Sequence, residues 1–260
     1  MRIPSELAVL VAAVATTSCL TPVPVPGYPA SEVCPAAPSV PGDALPAALI
    51  DDAEDGNAQI VQHDGRNGIV FSGVDPASAF VVGPTGSPRR PLPVLGGANG
   101  SRCAWNLRGT LANRPIAFAS LGMYLTQPKA FYDASRFEGI SFYARRSAGT
   151  SGRVRVSVSD WNTDPDGGVC TKCFNYFGQE LELSETWTRY TLPFESLRQM
   201  PGWGVPRPRQ IDPSRIFYIV FGVLDRGAAF DVWIDDLAFI ERAPPPAVPP
   251  PPPPSNALPE

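Results

Sequence analysis

The segment GRVRVSVSD constrains this chain more than any other. Val154, Val156 and Val158 fall on one side of it, and Arg153, Arg155, Ser157 and Ser159 on the other. A period of two is the mark of a half-buried β-strand. FEGISFYARR repeats the pattern, with Ile140, Phe142 and Ala144 on its apolar side, and TWTRYTLPF groups Tyr190, Leu192 and Phe194. RIFYIVFGV is apolar on both sides, which predicts a central strand covered on each face. AFASLGMYL and QELELS supply two more strands. No stretch sustains a 3.6-residue period, and the best helical pieces, around DASRFEG and FESLRQM, are a turn or two long. DGRNG, DPAS, SAGTSG, DPDGG and MPGWG punctuate the strands as turns. Short strands at this spacing predict an all-β sandwich or barrel. One departure is Asp75 to Arg102, rich in Pro and Gly, which reads as a long loop over one edge or face.

The two ends differ in kind. Of 260 residues 32 are proline, many of them at the termini. Residues 19–46 read as a semi-rigid spacer and 243–260, APPPAVPPPPPPSNALPE, as a disordered tail. A ligand for a proline-binding module or a stub through a cell wall is the alternative for that tail. The folded domain is then 47–242. At the start, Arg2, an apolar run from Leu7 to Ala15 and small residues before Cys19 make residues 1–18 an export signal. TTSC resembles the lipobox of bacterial lipoproteins, so Cys19 is the expected lipidation site and the lipid the expected membrane anchor. Thr16 stands where that motif has leucine. Cleavage after Ala15, giving a secreted protein, is the alternative to an envelope protein anchored at the outer membrane or cell surface.

With Cys19 lipidated, Cys34, Cys103, Cys170 and Cys173 remain. An even set in an exported chain predicts disulfides, with three pairings open. The CTKC pair has no second Cys/His pair at ligand spacing, which argues against zinc. A formal net charge of −4 argues against a nucleic-acid partner. His63 is the only histidine, so no Ser-His-Asp triad could be built without it.

Four phrases in order, LIDDAEDGN, YDASRFEGISFYARR, LSETWTRYTLPFESL and FDVWIDDLAFI, resemble the galactose-binding-like jelly-roll domains of carbohydrate-binding modules. The likeness is to family-11-like modules and their relatives on bacterial surface lipoproteins. It covers about 190 residues and implies a jelly-roll β-sandwich of two antiparallel sheets, with the first and last strands adjacent. It also implies a structural calcium where those strands meet, held by Glu54 and Asp236. That would account for two adjacent carboxylates, Asp235 and Asp236, inside an apolar strand. By simple alternation Asp236 shares a face with Val232, Ile234, Ala238 and Ile240.

Modules of this kind stack sugar rings on aromatic side chains. The candidates are Trp161 and Asn162 after the GRVRVSVSD strand, Tyr176 and Gln179 past the cysteine pair, and Arg155, Tyr124 and Trp105. Trp187 and Trp233, inside the motif phrases, read as core or sheet-packing residues. The expected function is non-catalytic binding of a poly- or oligosaccharide. A structural or protein-interaction lipoprotein on the same scaffold is the alternative. A glycoside hydrolase or lyase would need two carboxylates set roughly 5–10 Å apart in a cleft, and nothing in the sequence marks such a pair.

Overall fold

The alternating segments pair into two antiparallel sheets in the computed structural model, which describes residues 32–37, 44–81 and 90–243. The expected export signal, Cys19, most of the expected spacer and the tail from 244 lie outside the described residues. Among the described residues the strands are β1 (Leu49–Asp51), β2 (Val70–Val74), β3 (Ala79–Val81), β4 (Val94–Leu95), β5 (Cys103–Thr110) and β6 (Ala119–Tyr124), followed by β7 (Phe137–Arg146), β8 (Arg153–Asp160), β9 (Phe177–Glu182), β10 (Thr188–Pro193), β11 (Ile216–Val223) and β12 (Ala229–Glu241). One sheet runs β10-β7-β12-β5-β3, with β1 added on β12 and β4 on β5. The other runs β2-β6-β11-β8-β9. The result is a jelly-roll β-sandwich in which β1 and β12 are neighbours, as expected.

Alternation fills the space between the sheets. Ile140, Phe142 and Ala144 of β7 and Val154, Val156 and Val158 of β8 are all buried. Phe142 meets Phe221 edge-on across the core at 5.0 Å. Edge-to-face pairs of this kind add about 1 kcal/mol beyond the area they bury. The stretch expected as one long loop, 75–102, instead contributes β3 and β4 to the β5 edge. FESLRQM holds a single 3-10 turn, Phe194–Ser196.

The cysteines pair as Cys34–Cys103 and Cys170–Cys173. The first bond closes a separation of 69 residues, and Cys34 is itself buried. The expected spacer is therefore tied to the domain at Cys34, and Val33 bridges to Val94.

β12 resolves the paired carboxylates differently from the simple alternation. Its pairing with β7 goes from Asp235↔Tyr143 to Ala238↔Ser141, so Asp236 and Leu237 together oppose Phe142. This is a β-bulge, in which one extra residue slips the phase of the strand. Phe230, Val232 and Ile234 face inward before it, and Leu237 and Phe239 after it. Asp236 sits at the bulge with φ of +48°, so it does not share a face with Val232 and Ile234. Asp235 is the buried one, covered by the loop between β4 and β5. Its carboxylate accepts the Ala98 N–H at 2.7 Å and the Asp236 N–H at 2.8 Å.

Candidate functional site

Strand register decides which aromatics meet on the outer face of the five-stranded sheet. Phe71 on β2 stands opposite Gly122 on β6, and Tyr124 on β6 stands opposite Tyr218 on β11. Gly122 leaves space that the Phe71 ring fills, since a Cβ there would overlap it. Phe71 stacks on Tyr124 with centroids 4.5 Å apart, and Tyr124 meets Tyr218 at 5.1 Å. Tyr176, just before β9, meets Tyr218 at 5.4 Å, and the Tyr218 hydroxyl donates to that of Tyr176. Phe174 ends the row, 6.3 Å from Tyr176 and 61% exposed. Five strands at about 4.8 Å spacing make this row roughly 19 Å across.

β11 therefore corrects one expectation. It is central, but its second apolar face is not covered by another layer: it carries Tyr218, which is 7% exposed because the neighbouring rings crowd it.

Charge is arranged around the row. The Lys129 ammonium lies 5.8 Å from the Tyr124 ring centre and 5.3 Å from that of Tyr218. It bonds Asp164 at 2.6 Å and Asp166 at 2.8 Å. Burial works against the Lys129 charge, but the two carboxylates outweigh it and hold its pKa above the usual lysine range. Burial pushes the Tyr124, Tyr176 and Tyr218 phenols up. They stay neutral through physiological pH and offer both a donor and an acceptor.

The predicted residues divide. Tyr124 and Tyr176 are in the row. Arg155 lies at its β9 end, where its guanidinium donates to the carbonyl oxygens of Tyr176 and Arg198. Trp161 is not in it. Its ring lies in the turn after β8, under the Arg215 guanidinium at 3.6 Å. Asn162 bonds Asp160 within the same turn at 3.1 Å. Gln179 pairs with Val156 on the core-facing side of β9 and accepts from the Ser196 hydroxyl. Trp105 is corrected outright: it is 1% exposed, on the inner face of β5, with its indole N–H donating to Asp51 at 2.6 Å. Sequence reasoning missed Phe71, Tyr218, Phe174 and Lys129. Tyr218 could have been found as the one polar aromatic in an otherwise apolar strand.

Trp187 and Trp233 do pack on a sheet, as expected. They flank the Arg145 guanidinium at 5.2 and 4.5 Å on the outer face of the seven-stranded sheet.

Of the two residues that the resemblance assigns to calcium, Glu54 has other partners. The Glu54 carboxylate accepts from the Ser101 hydroxyl at 2.7 Å and from the backbone N–H groups of Arg102 and Cys103 at 2.7 and 2.8 Å. It also accepts Nε of Arg102 at 3.1 Å. Asp236 feels the negative charges of Asp52 and Glu54, which add to burial in raising its pKa. Among the described residues no three of His, Cys, Asp or Glu are grouped to hold a metal ion. A calcium ion needs six to eight oxygens. Glu54 is taken up by these donors, and a calcium ion there would have to displace them.

No protein-family model and no curated protein matches this chain. Among solved structures it is similar to the family 11 carbohydrate-binding module from Clostridium thermocellum in complex with a β-1,3-1,4-mixed-linked tetrasaccharide, at 15% identity, covering 75% of this chain and 95% of that one, with a TM-score of 0.48. It is also similar to the family 11 module of the cellulosomal cellulase Lic26A-Cel5E of that organism (13% identity, 75% and 95% covered, TM-score 0.49). The family 30 module of the cellulosomal cellulase Cel9D-Cel44B is a third (13%, 75% and 96%, TM-score 0.45). At these values the likeness assigns no ligand to this chain.

Proposed function

We propose that this protein binds a poly- or oligosaccharide, without cleaving it, on the outer face of its five-stranded sheet. The observation that carries this reading is the row Phe71–Tyr124–Tyr218–Tyr176–Phe174 with its neutral phenols. Sugar rings have apolar C–H faces and hydroxyl edges. Aromatic rings bury the faces, and the phenols, the Lys129 ammonium and the nearby carboxylates can bond the edges. Asp164 and Asp166 hold Lys129 beside the row.

Affinity electrophoresis and a glycan array, run with wild type and with Tyr124→Ala and Tyr218→Ala, test the proposal. Retardation on a defined polymer that either variant weakens about tenfold or more, roughly 1.4 kcal/mol, supports it. Silence of a folded protein across the panel overturns it. The protein-interaction reading would then stand, and one observation favours it: Phe174, Met200, Trp203 and Val205 form exposed apolar side chains on neighbouring loops.

Display at the envelope belongs to the same proposal. Two disulfides suit an oxidising compartment, and TTSC supplies a lipidation candidate. Incorporation of a labelled fatty acid that Cys19→Ser abolishes is the expected result, and a secreted, unlabelled product would replace the anchor with ordinary export.

A further inference from the structure

The segment RQMPGWGVPRPRQ, 198–210, carries three arginines and no acid. In a chain of net charge −4 that is an uncompensated positive stretch. Its backbone extends the five-stranded sheet beyond β9: Arg198 exchanges both N–H···O bonds with Gly178 at 3.0 Å. The chain then turns back through Pro206 and Pro208, whose fixed φ limits the freedom of the arginines beside them. Arg198, Gln199, Arg207, Pro208, Arg209 and Gln210 together line a cleft of about 720 Å³.

The charges in this cleft are open. Arg198 donates to the carbonyl oxygens of its own turn, Glu195 and Leu197. None of the ion pairs among the described residues includes Arg198, Arg207 or Arg209. Arg207 and Arg209 are both exposed. Three unneutralised guanidinium groups around one concavity repel each other, and an anion placed among them relieves that. A guanidinium fork matches the planar oxygens of a carboxylate or the oxygens of a sulfate better than a hydroxyl.

The cleft adjoins the aromatic row. Gln199 donates to the Asn175 carbonyl at 2.9 Å, one residue from Tyr176, and Arg155 ties the Tyr176 and Arg198 carbonyls together. The row ends at Tyr176 and Phe174, and the arginines begin at the same sheet edge. A polymer leaving the row at that end meets the cleft next.

We infer that the Arg198–Arg207–Arg209 cleft receives the acidic groups of an anionic polysaccharide whose ring faces lie on the aromatic row. This inference rests on the saccharide-binding reading above and names the class of saccharide. Carboxylate and sulfate share the required chemistry.

The test uses the full chain and matched polymers that differ only in charge. Polygalacturonate is compared with its methyl ester, and a sulfated galactan with the same galactan after desulfation, by titration calorimetry at low and high salt. The expected result is about tenfold tighter binding to the charged member of at least one pair, falling with salt. Which pair responds distinguishes carboxylate from sulfate. The exposed double variant Arg207→Ala/Arg209→Ala should erase that preference and leave the neutral polymer's affinity unchanged. Tyr218→Ala should weaken both members. Equal affinity for charged and neutral polymers, or a preference that survives the double variant, overturns the inference while leaving saccharide binding intact. Binding a single-stranded oligonucleotide as tightly, with no effect of Tyr218→Ala, also overturns it, because the cleft would then be a general polyanion patch. No binding to any of the four polymers overturns the inference, and the glycan array decides separately whether a saccharide is bound at all.

Discussion

Arg102 grips Glu54 from two sides: its N–H and Nε donate to the carboxylate at 2.7 and 3.1 Å, and Nη2 donates to the Glu54 carbonyl oxygen at 3.1 Å. With Ser101 and the Cys103 N–H added, this one carboxylate joins the end of β1 to the start of β5 beside the Cys34–Cys103 bond. A positive side chain and backbone donors thus surround the Glu54 carboxylate.

Glu54→Ala should cost about 1–3 kcal/mol, because it strands the Cys103 and Arg102 donors. Burial raises the Glu54 pKa, but the donors outweigh it and leave it below the usual range. Its contribution is therefore present above about pH 4.3 and lost as pH falls through the lower folded value. Thermal melts from pH 3 to 6 should show this loss in wild type and not in Glu54→Ala. Adding a chelator should leave the wild-type melt where it was. A fall of several degrees would restore the calcium site.

Asp235 acts with the opposite sign. Burial, with the Asp236 charge beside it, pushes its pKa up to about 7 against the Ala98 N–H, which lowers it. An unfolded aspartate titrates near ~3.9. Between about pH 4 and 7 the folded protein holds the extra proton, so stability falls as pH rises through that window. The full swing is on the order of 4 kcal/mol at 1.36 kcal/mol per unit. Urea unfolding at pH 5 and pH 8 should show wild type more stable at pH 5, and a smaller difference in Asp235→Asn; the buried Asp51, also raised by burial, keeps part of the dependence in the variant. A variant that keeps the wild-type difference would assign the effect elsewhere.

The two disulfides should separate stability from loop order. Cys34–Cys103 closes 69 residues, and chain-entropy reasoning gives it about 4 kcal/mol. Cys170–Cys173 spans only three, so its loss should change global stability by no more than on the order of 1 kcal/mol. Cys34→Ser should lower the melting temperature strongly. Cys170→Ser/Cys173→Ser should instead raise hydrogen exchange locally around Phe174 and Tyr176. Equal effects of the two would show that loop length is not what sets them.

Two substitutions distinguish the row from its surroundings. Gly122→Ala places a methyl group where the Phe71 ring lies, so the ring must swing away from the sheet. Saccharide affinity should drop several-fold with little change in melting temperature. Trp161→Ala should change affinity less than twofold, because its ring is roofed by Arg215 and lies outside the row. Calorimetry on both variants checks this. A larger loss in Trp161→Ala than in Tyr218→Ala would move the site to the β8 turn.

The fold was legible because its signals are local. Val154, Val156 and Val158 declare a strand by their own spacing, and the inward sets of β7, β8 and β10 follow from it. The site was legible only in part. Tyr124 and Tyr176 could be named as aromatics near strand ends, but Trp161 and Trp105 looked equally suitable. Nothing within nine residues of Trp105 says that its indole will face Asp51, 54 positions away.

Period, punctuation and composition by themselves determined that this chain forms an all-β sandwich or barrel between proline-rich ends, because backbone alternation and turn chemistry depend on adjacent residues. Tertiary structure alone decided three things. It placed Phe71, Tyr124, Tyr176 and Tyr218 in one row, chose the cysteine pairs, and set Asp235 inward and Asp236 on a bulge. Each of these depends on the register between strands far apart in sequence, and a slip of one residue in that register turns every side chain to the other face.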